Sequence, residues 1–243
     1  MQAYRMLTID CTGAGQRTIQ HGGDQATNQL IASSLGVLPD HNIKMFIGVE
    51  GKHDIPFLKH MSKVFVASGE AVPNLERLEA DGEIIFTPFG GSNLALWTHR
   101  LANLNRPEFH IYDRDTTPPA PPKYQPQVDA VNARPGCEAH STNKREAENY
   151  LHHDAINLAL AEAGIAHTLT APFNDFDDVP TLLATQVNAV VPPGNKWNAN
   201  RAKDFLCNNA AAKMTRPMLD EIDPHGEIRE WFQRMQALMA TAP

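Results

Sequence analysis

The sequence predicts an α/β protein in which a parallel sheet is flanked by helices and followed by a mostly helical C-terminal region. Short apolar runs of strand length alternate with segments of helical periodicity through the middle of the chain, which is typical of a parallel sheet covered on both faces. From residue 173 onward the pattern is mostly helical. The predicted strands are residues 44–49, 83–87, 108–112 and 137–142.

The first forty residues are expected to lead into this sheet. Residues 4–9 alternate between apolar and polar side chains, a glycine-rich turn follows, and residues 25–35 have a polar helical pattern. The expected organisation is therefore a lead-in at residues 1–42, a core at residues 43–170 and a helical region at residues 171–243.

The first predicted strand runs through a Glu50-Gly51 turn into a predicted helix at residues 54–66. Pro56 is tolerated because it falls in the first helical turn. The apolar face of this helix consists of Ile55, Leu58, Met61 and Phe65. The second strand leads into a Gly-Gly loop at residues 88–93 and a helix at residues 94–104.

The third strand ends in Asp113-Arg114-Asp115, and a proline-rich stretch follows directly. Because proline disrupts helices and central strands, residues 116–135 are expected to form a surface loop without a helix. Helices are predicted again at residues 153–163 and 227–239, with a Pro-Gly break at residues 192–194. The apolar face of the last helix consists of Ile228, Trp231, Met235 and Leu238.

Composition is that of an ordinary globular protein, with 42% hydrophobic and 20% charged residues in 243. The formal charge of −7 has the wrong sign for holding nucleic acid by bulk electrostatics. A cluster of carboxylates that binds divalent cations would reverse the charge locally. Part of the negative charge is then expected to belong to a site.

The three cysteines lie far apart, without the spacing of a zinc site or a disulfide framework. The chain contains no apolar run of membrane-spanning length, and its start lacks the apolar stretch of a signal peptide. These features predict a cytoplasmic protein without a membrane partner.

Acidic residues follow the predicted strands, where functional groups gather in open parallel sheets. Glu50 follows the first strand, Asp113 and Asp115 follow the third, and Glu146 and Glu148 follow the fourth. If residues 146–148 are extended, the two glutamates point the same way. Crowded carboxylates repel one another unless cations bind, and Mg²⁺ prefers oxygen ligands. The pattern indicates a site for divalent metal ions, and two such ions can activate the water that attacks a phosphodiester and neutralise its leaving oxygen.

The ordered set of motifs resembles the Toprim domain of the OLD (overcoming lysogenization defect) family of nucleases. The motifs are VEGKHD at residues 49–54, FGGSNL at residues 89–94, IYDRD at residues 111–115 and REAENYL at residues 145–151. The resemblance implies metal-dependent DNA cleavage with Mg²⁺ or Mn²⁺. It places Glu50 and Asp54 on one ion, and Asp113, Asp115 and either Glu146 or Glu148 on the other.

Members of this family also carry a lysine near the metals, suited to stabilising charge on the cleaved phosphate. Lys203 is the position that best resembles it, with Lys196 and Lys213 as rivals. The resemblance implies catalytic roles for Glu50, Asp113, Asp115 and Lys203. It also implies a place in DNA processing or defence against phage.

In this family the Toprim domain normally follows an ABC-type ATPase that opens with a phosphate-binding loop. The chain has no GxxxxGK[ST] string, so ATP hydrolysis is not predicted. Residues 4–36 resemble the end of such an ATPase, and the chain is expected to be a C-terminal fragment or a split gene product. The expected partners are DNA and a separate ATPase domain or subunit, and an oligomer is compatible with the sequence.

Three other features have simpler explanations. His152-His153 is expected to serve surface or capping roles rather than metal binding. The acidic stretch at residues 174–179 is interpreted as a solvated helix start. Trp197, Trp231 and Phe232 are expected to pack within the helical tail, although Lys196-Trp197 with Arg201 could stack on bases.

Two other functions remain open. Asp113-Arg114-Asp115-Thr116-Thr117 resembles the nucleophile motif of haloacid-dehalogenase-like phosphatases, in which the first aspartate attacks phosphate. Against this class, the motif lies late in the chain and Lys203 follows the acidic pair Asp177-Asp178. The second alternative is a non-catalytic Toprim module that docks on DNA or on an ATPase.

Overall fold

A four-stranded parallel sheet organises the larger part of the protein. The structure is a computed structural model, and it describes residues 7–10, 18–21, 43–90, 94, 101 and 106–240. The chain divides into two compact units, Met1–Ile43 and Lys44–Pro243. In the first unit, strand β1 (Leu7–Asp10) pairs antiparallel with β2 (Thr18–His21). The helix predicted at residues 25–35 lies outside the described residues.

The sheet of the second unit has the order β4-β3-β5-β6, and all of its pairings are parallel. Its strands are β3 (Met45–Val49), β4 (Ile84–Pro88), β5 (Glu108–Tyr112) and β6 (Cys137–Ser141). Every residue of β3 and β5 is buried, as expected for central strands covered on both faces. The predicted fold class is confirmed, and each strand ends within one residue of its predicted position.

Helices cover the sheet and form the C-terminal region. They are α1 (Asp54–Ala67), α2 (Leu75–Ala80), α3 (Gln125–Asn132), α4 (His153–Glu162), α5 (Val179–Val190), α6 (Ala199–Phe205), α7 (Arg216–Ile222) and α8 (Glu227–Ala240). A 3₁₀ turn, Ala147–Tyr150, precedes α4, and a π-helical turn, Leu206–Ala210, continues α6. The helix predicted at residues 94–104 lies almost wholly outside the described residues.

Two apolar cores lie on opposite faces of the sheet, because successive side chains of a strand point to opposite faces. Phe109 and Ile111 of β5 belong to a large core that also contains residues of α1, α4 and the C-terminal helices. Tyr112 belongs to a smaller core with Tyr124 and residues of α3. Phe65 of α1 meets Phe232 of α8 edge to face, with 5.7 Å between ring centroids. The helical tail and the sheet therefore share one core.

Helix α3 corrects the prediction of a continuous loop at residues 116–135. It occupies Gln125–Asn132 and begins with Pro126 in its first turn. Proline is tolerated there because the first backbone N–H groups of a helix have no intrahelical acceptor. Val128 and Val131 face the smaller core, so burial of an apolar face outweighs the proline-rich context.

A polar network runs along β5 on the face that α3 covers. Arg134 donates to both carboxylate oxygens of Glu108 at 2.7 Å, and His110 Nε2 donates to Glu108 at 2.8 Å. The hydroxyl of Tyr112 donates to His110 Nδ1 at 2.6 Å. The His110 ring fills the space beside Gly48, where a Cβ atom would lie 2.5 Å from Nδ1. Glycine is therefore required at this position in β3.

Candidate metal centre

Six acidic residues meet at the carboxyl ends of the central strands. Glu50 follows β3, Asp54 opens α1, and Asp113 follows β5. Glu146 and Glu148 come from the segment after β6, at the 3₁₀ turn. Asp115 lies two residues beyond Asp113. These residues span about a hundred positions of sequence, so only the parallel topology brings them to one edge of the sheet.

The centre of the group consists of Asp113, Glu146 and Glu148. Carboxylate oxygens of these three residues lie within 4.8 Å of one another. Asp113 and Glu148 are 6% and 1% exposed. Asp113 Oδ1 accepts a hydrogen bond from the amide of Ala147 at 3.1 Å. This bond ties the end of β5 to the turn that carries both glutamates.

The turn itself is fixed by Asn149. Its side-chain oxygen accepts from the amide of Glu146 at 3.1 Å, and its amide group donates to the carbonyls of Asn174 and Asp177. Glu146 is extended, but Glu148 lies inside the 3₁₀ turn. The assumption that residues 146–148 are extended is therefore wrong, although both side chains still reach Asp113.

Lys203 lies among these acids. Its Nζ is 3.3 Å from Asp113 Oδ2, 3.4 Å from Glu148 Oε1 and 3.5 Å from Glu146 Oε2. Asn198 caps α6 by accepting from the amide of Arg201, and this helix carries Lys203 to the site. Of the rival lysines, Lys213 pairs with Glu162 at 2.6 Å and Lys196 is exposed. Among the three, Lys203 is the lysine that contacts the site acids.

The remaining three acids have separate hydrogen-bond partners. Asp54 Oδ2 accepts from the amide of Gly51 at 2.8 Å. Glu50 Oε1 accepts from the hydroxyl of Tyr124 at 2.9 Å. Asp115 pairs with Lys123 at 2.5 Å.

The backbone of Asp115 is left-handed, with φ of 58°. Aspartate tolerates this conformation better than most residues. The amide of Asp115 donates to the carbonyl of Arg145 at 2.9 Å. The site acid is thereby linked to the segment that carries Glu146.

Burial and mutual repulsion favour the protonated form of four of these acids, Glu50, Asp54, Glu146 and Glu148. Burial, followed by the charges of Asp113 and Asp115, raises the pKa of Glu50 to about 7. Burial is also the main cause that raises the pKa of Asp54, Glu146 and Glu148. Burial lowers the pKa of Lys203, but the surrounding carboxylates outweigh it and raise that pKa overall. Positive charge therefore stabilises this group of acids.

Four buried carboxylate oxygens have no hydrogen-bond partner within the described part of the chain. They are Glu50 Oε2, Asp54 Oδ1, Glu146 Oε1 and Glu148 Oε2. Buried polar atoms normally have partners, and unpaired anionic oxygens are costly. A donor set made of carboxylate oxygens fits Mg²⁺ or Mn²⁺. These residues therefore fit a divalent cation.

The structure brings all six predicted acids and Lys203 to one edge of the sheet. The predicted Gly-Gly loop lies partly outside the described residues, because residues 91–93 are not described. The sequence interpretation missed three residues that contact the acids: Lys123, Tyr124 and Cys207. The thiol of Cys207 donates to Glu148 Oε1 at 3.2 Å. Cys207 lies four residues after Lys203, and this helical spacing was the available signal.

The other residues that the sequence analysis singled out cap helices or pack in the core. His152 caps α4 by accepting from the amide of Asp154, as predicted, but it is buried rather than on the surface. Asp178 caps α5 in the same way, which confirms the predicted helix start. Trp197 is buried against Phe205, with 4.9 Å between ring centroids, so it packs within the tail. Trp231 and Phe232 are also buried there.

The fold and the site together define an α/β protein with a carboxylate and lysine centre at the carboxyl edge of a parallel sheet. No protein-family model and no curated protein matches the chain. The chain is similar in structure to the C-terminal region of the Burkholderia pseudomallei OLD protein, with a TM-score of 0.47 and 13% sequence identity. The match covers 81% of this chain and 98% of that one.

Among the described residues, no helix is both long enough and apolar enough to cross a membrane.

Proposed function

We propose that this protein is a Mg²⁺- or Mn²⁺-dependent nuclease that hydrolyses phosphodiester bonds of DNA. The observation that carries the proposal is the meeting of Asp113, Glu146 and Glu148 around Lys203, beside buried carboxylate oxygens that lack partners. The ordered sequence motifs at these same positions support it. The net charge of −7 also supports it, because six of the acids are concentrated where cations would bind.

In this proposal Glu50 and Asp54 hold one ion. Asp113, Asp115 and a glutamate of the Glu146/Glu148 pair hold the other. When bound, such ions activate the attacking water and neutralise the charge on the leaving oxygen. Four of the acids are buried in a packed region, so their carboxylates are held in place before substrate binds. Their role is to fix the positions of the metal ions.

Lys203 has a second role in the proposed reaction. Its ammonium is shared among three carboxylates, and its side chain is 23% exposed. In the proposed reaction this ammonium would donate to a non-bridging phosphate oxygen of the substrate. A fixed positive charge there stabilises the charge that develops in the transition state.

The partners in this proposal are DNA and an ABC-type ATPase domain or subunit, as the family resemblance implies. The biological role is DNA processing, with defence against phage as the context that the resemblance suggests. ATP hydrolysis is not part of the proposed activity of this chain.

The test is incubation of the purified protein with supercoiled plasmid in Mg²⁺, Mn²⁺ or EDTA. Asp113→Asn and Glu50→Gln remove one charge each without changing side-chain size. Glu162→Gln is the matched control, because Glu162 pairs with Lys213 away from the site. We expect metal-dependent conversion to open-circular and linear DNA by wild type and the control, and its loss in both site variants.

Two other outcomes would contradict the proposal. Hydrolysis of small phosphoesters without plasmid cleavage would favour the haloacid-dehalogenase-like phosphatase. DNA binding without hydrolysis of either substrate, in the presence of a purified ATPase partner, would favour the non-catalytic module.

A further inference from the structure

Residues 116–124, here called the proline strap, leave the site at Asp115 and return to it at their other end. The side chain of Arg114 donates to the carbonyl of Ala120 at 3.0 Å. The amide of Lys123 donates to the carbonyl of Arg114 at 3.1 Å. Thr116 Oγ1 donates to the carbonyl of Pro121 at 2.8 Å. These bonds close the strap over Arg114, which lies between the two aspartates of the site.

The last two residues of the strap each contact a different acid of the site. Tyr124 donates its hydroxyl to Glu50 Oε1 at 2.9 Å, and Lys123 Nζ lies 2.5 Å from Asp115 Oδ2. Tyr124 is 6% exposed, and its ring packs edge to face on Tyr112. Its hydroxyl is therefore held in place. The side chain of Lys123 is 50% exposed, and its ammonium lies 4.8 Å from the centroid of the Tyr124 ring.

These two contacts have opposite consequences for cation binding. A neutral hydroxyl that binds one oxygen of Glu50 orients the carboxylate and leaves the buried Oε2 unpartnered. Such outer partners orient a metal ligand and raise its affinity. Lys123 is itself a cation, and it binds the carboxylate of Asp115 that a metal ion would use. It therefore competes with the ion instead of assisting it.

We propose that Tyr124 and Lys123 are positioning residues with opposite effects on metal affinity. Tyr124 holds Glu50 in the orientation that a metal ion needs, and Lys123 opposes binding of a metal ion at Asp115. The proposal rests on the proposed function, because it takes both carboxylates as metal ligands. The two residues are neighbours in contact, with the Lys123 ammonium 4.8 Å from the centroid of the Tyr124 ring, but they hold different acids of the site. Lys123 keeps Asp115 neutralised when metal is scarce and leaves it when an ion binds.

The test measures Mn²⁺ binding by isothermal titration calorimetry on the full chain, without DNA. Tyr124→Phe removes the hydroxyl and keeps the ring, and we expect it to weaken binding about 10- to 100-fold. Lys123→Gln removes the charge and keeps a hydrogen-bond donor. Since exposed ion pairs are weak, we expect it to tighten binding about two- to fivefold. Lys213→Gln, which breaks the exposed pair with Glu162, is expected to match wild type.

Opposite shifts in the two variants support the proposal, because a strap with only a structural role would not produce them. Weakened binding in both variants, together with a lower midpoint of thermal unfolding in EDTA, would assign the strap to stability alone. Wild-type affinity in both variants would also overturn the proposal. If wild type binds no Mn²⁺ at all, the proposed function fails with it. If wild type binds Mn²⁺ and Asp113→Asn does not, the metal centre of the proposed function is supported whatever the strap variants show, and plasmid cleavage still decides the activity.

Discussion

The ammonium of Lys203 lies 3.3 Å from the carboxylate of Asp113, and ninety residues of chain separate the two. Glu146 and Glu148 face the same ammonium within 3.5 Å. One ammonium group thus compensates the charge of three carboxylates. The charge of Lys203 is therefore expected to contribute to the stability of the fold.

Replacing Lys203 with methionine is expected to destabilise the metal-free protein. The buried acids would lose their cation, and removing one partner of a buried ion pair costs about 3 kcal/mol. Denaturant unfolding in EDTA at pH 8 measures this change in the free energy of unfolding. Lys213→Met is the control, and its exposed pair should contribute less than about 1 kcal/mol. Wild-type stability of Lys203→Met in EDTA would contradict the compensation argument.

Divalent metal is expected to stabilise the fold. A ligand that binds only the native state adds about 2.7 kcal/mol when its free concentration is 100 times its Kd. Thermal unfolding with Mn²⁺ or EDTA measures the gain. Asp113→Asn should lose most of it, whereas Asp129→Asn, on the exposed surface of α3, should keep it. Equal gains in the two variants would place the metal elsewhere.

In EDTA, the free energy of unfolding is expected to change with pH because Glu50 titrates at a different pH in the folded and unfolded states. Burial raises its pKa from 4.5 to about 7, so the folded state keeps a proton that the unfolded chain has released. The contribution of Glu50 to the free energy of unfolding therefore falls as the pH rises from about 4.5 to 7. The difference in stability between wild type and Glu50→Gln should decrease across this range in EDTA. A difference that rises across this range would contradict the assigned shift.

Alanine at Gly48 is expected to destabilise the sheet. The added Cβ would lie 2.5 Å from both His110 Nδ1 and a ring carbon of Phe89, and neither neighbour is free to move because both are buried. Overpacking of this kind costs about 1–3 kcal/mol. Denaturant unfolding measures the cost, and Gly194→Ala is the control because nothing lies within 4 Å of its added Cβ. A cost below that of the control would mean that His110 can move aside.

The sequence was informative where a local pattern carries the structure. The strands show as apolar runs, and acids such as Glu50 and Asp113 follow them directly, so both the sheet and its acidic edge could be predicted. Helix α3 could not, because its prolines suggested a loop and only the long-range burial of Val128 and Val131 favours a helix. Local pattern does not record that kind of burial.

The family resemblance favoured Lys203 among the three lysines, but the local sequence pattern did not exclude Lys196 and Lys213. Lys196, Lys203 and Lys213 are all surrounded by polar or helix-forming residues, and their spacing from the acids is uninformative. Only the packing of α6 brings one of them to Asp113. The same holds for Tyr124, which reaches Glu50 across seventy-four residues because the strap folds back toward Arg114.

The π-helical turn at Leu206–Ala210 follows directly after α6, which carries Lys203. A π turn closes its hydrogen bonds over five residues instead of four, so it contains one residue more than an α-helical turn. A related chain with a regular α-helix here would be one residue shorter between the lysine and Ala210. Aligned relatives should therefore differ by a single-residue gap at this point while the lysine stays in place. Such a gap would indicate that the π turn arose by insertion of one residue into a regular α-helix.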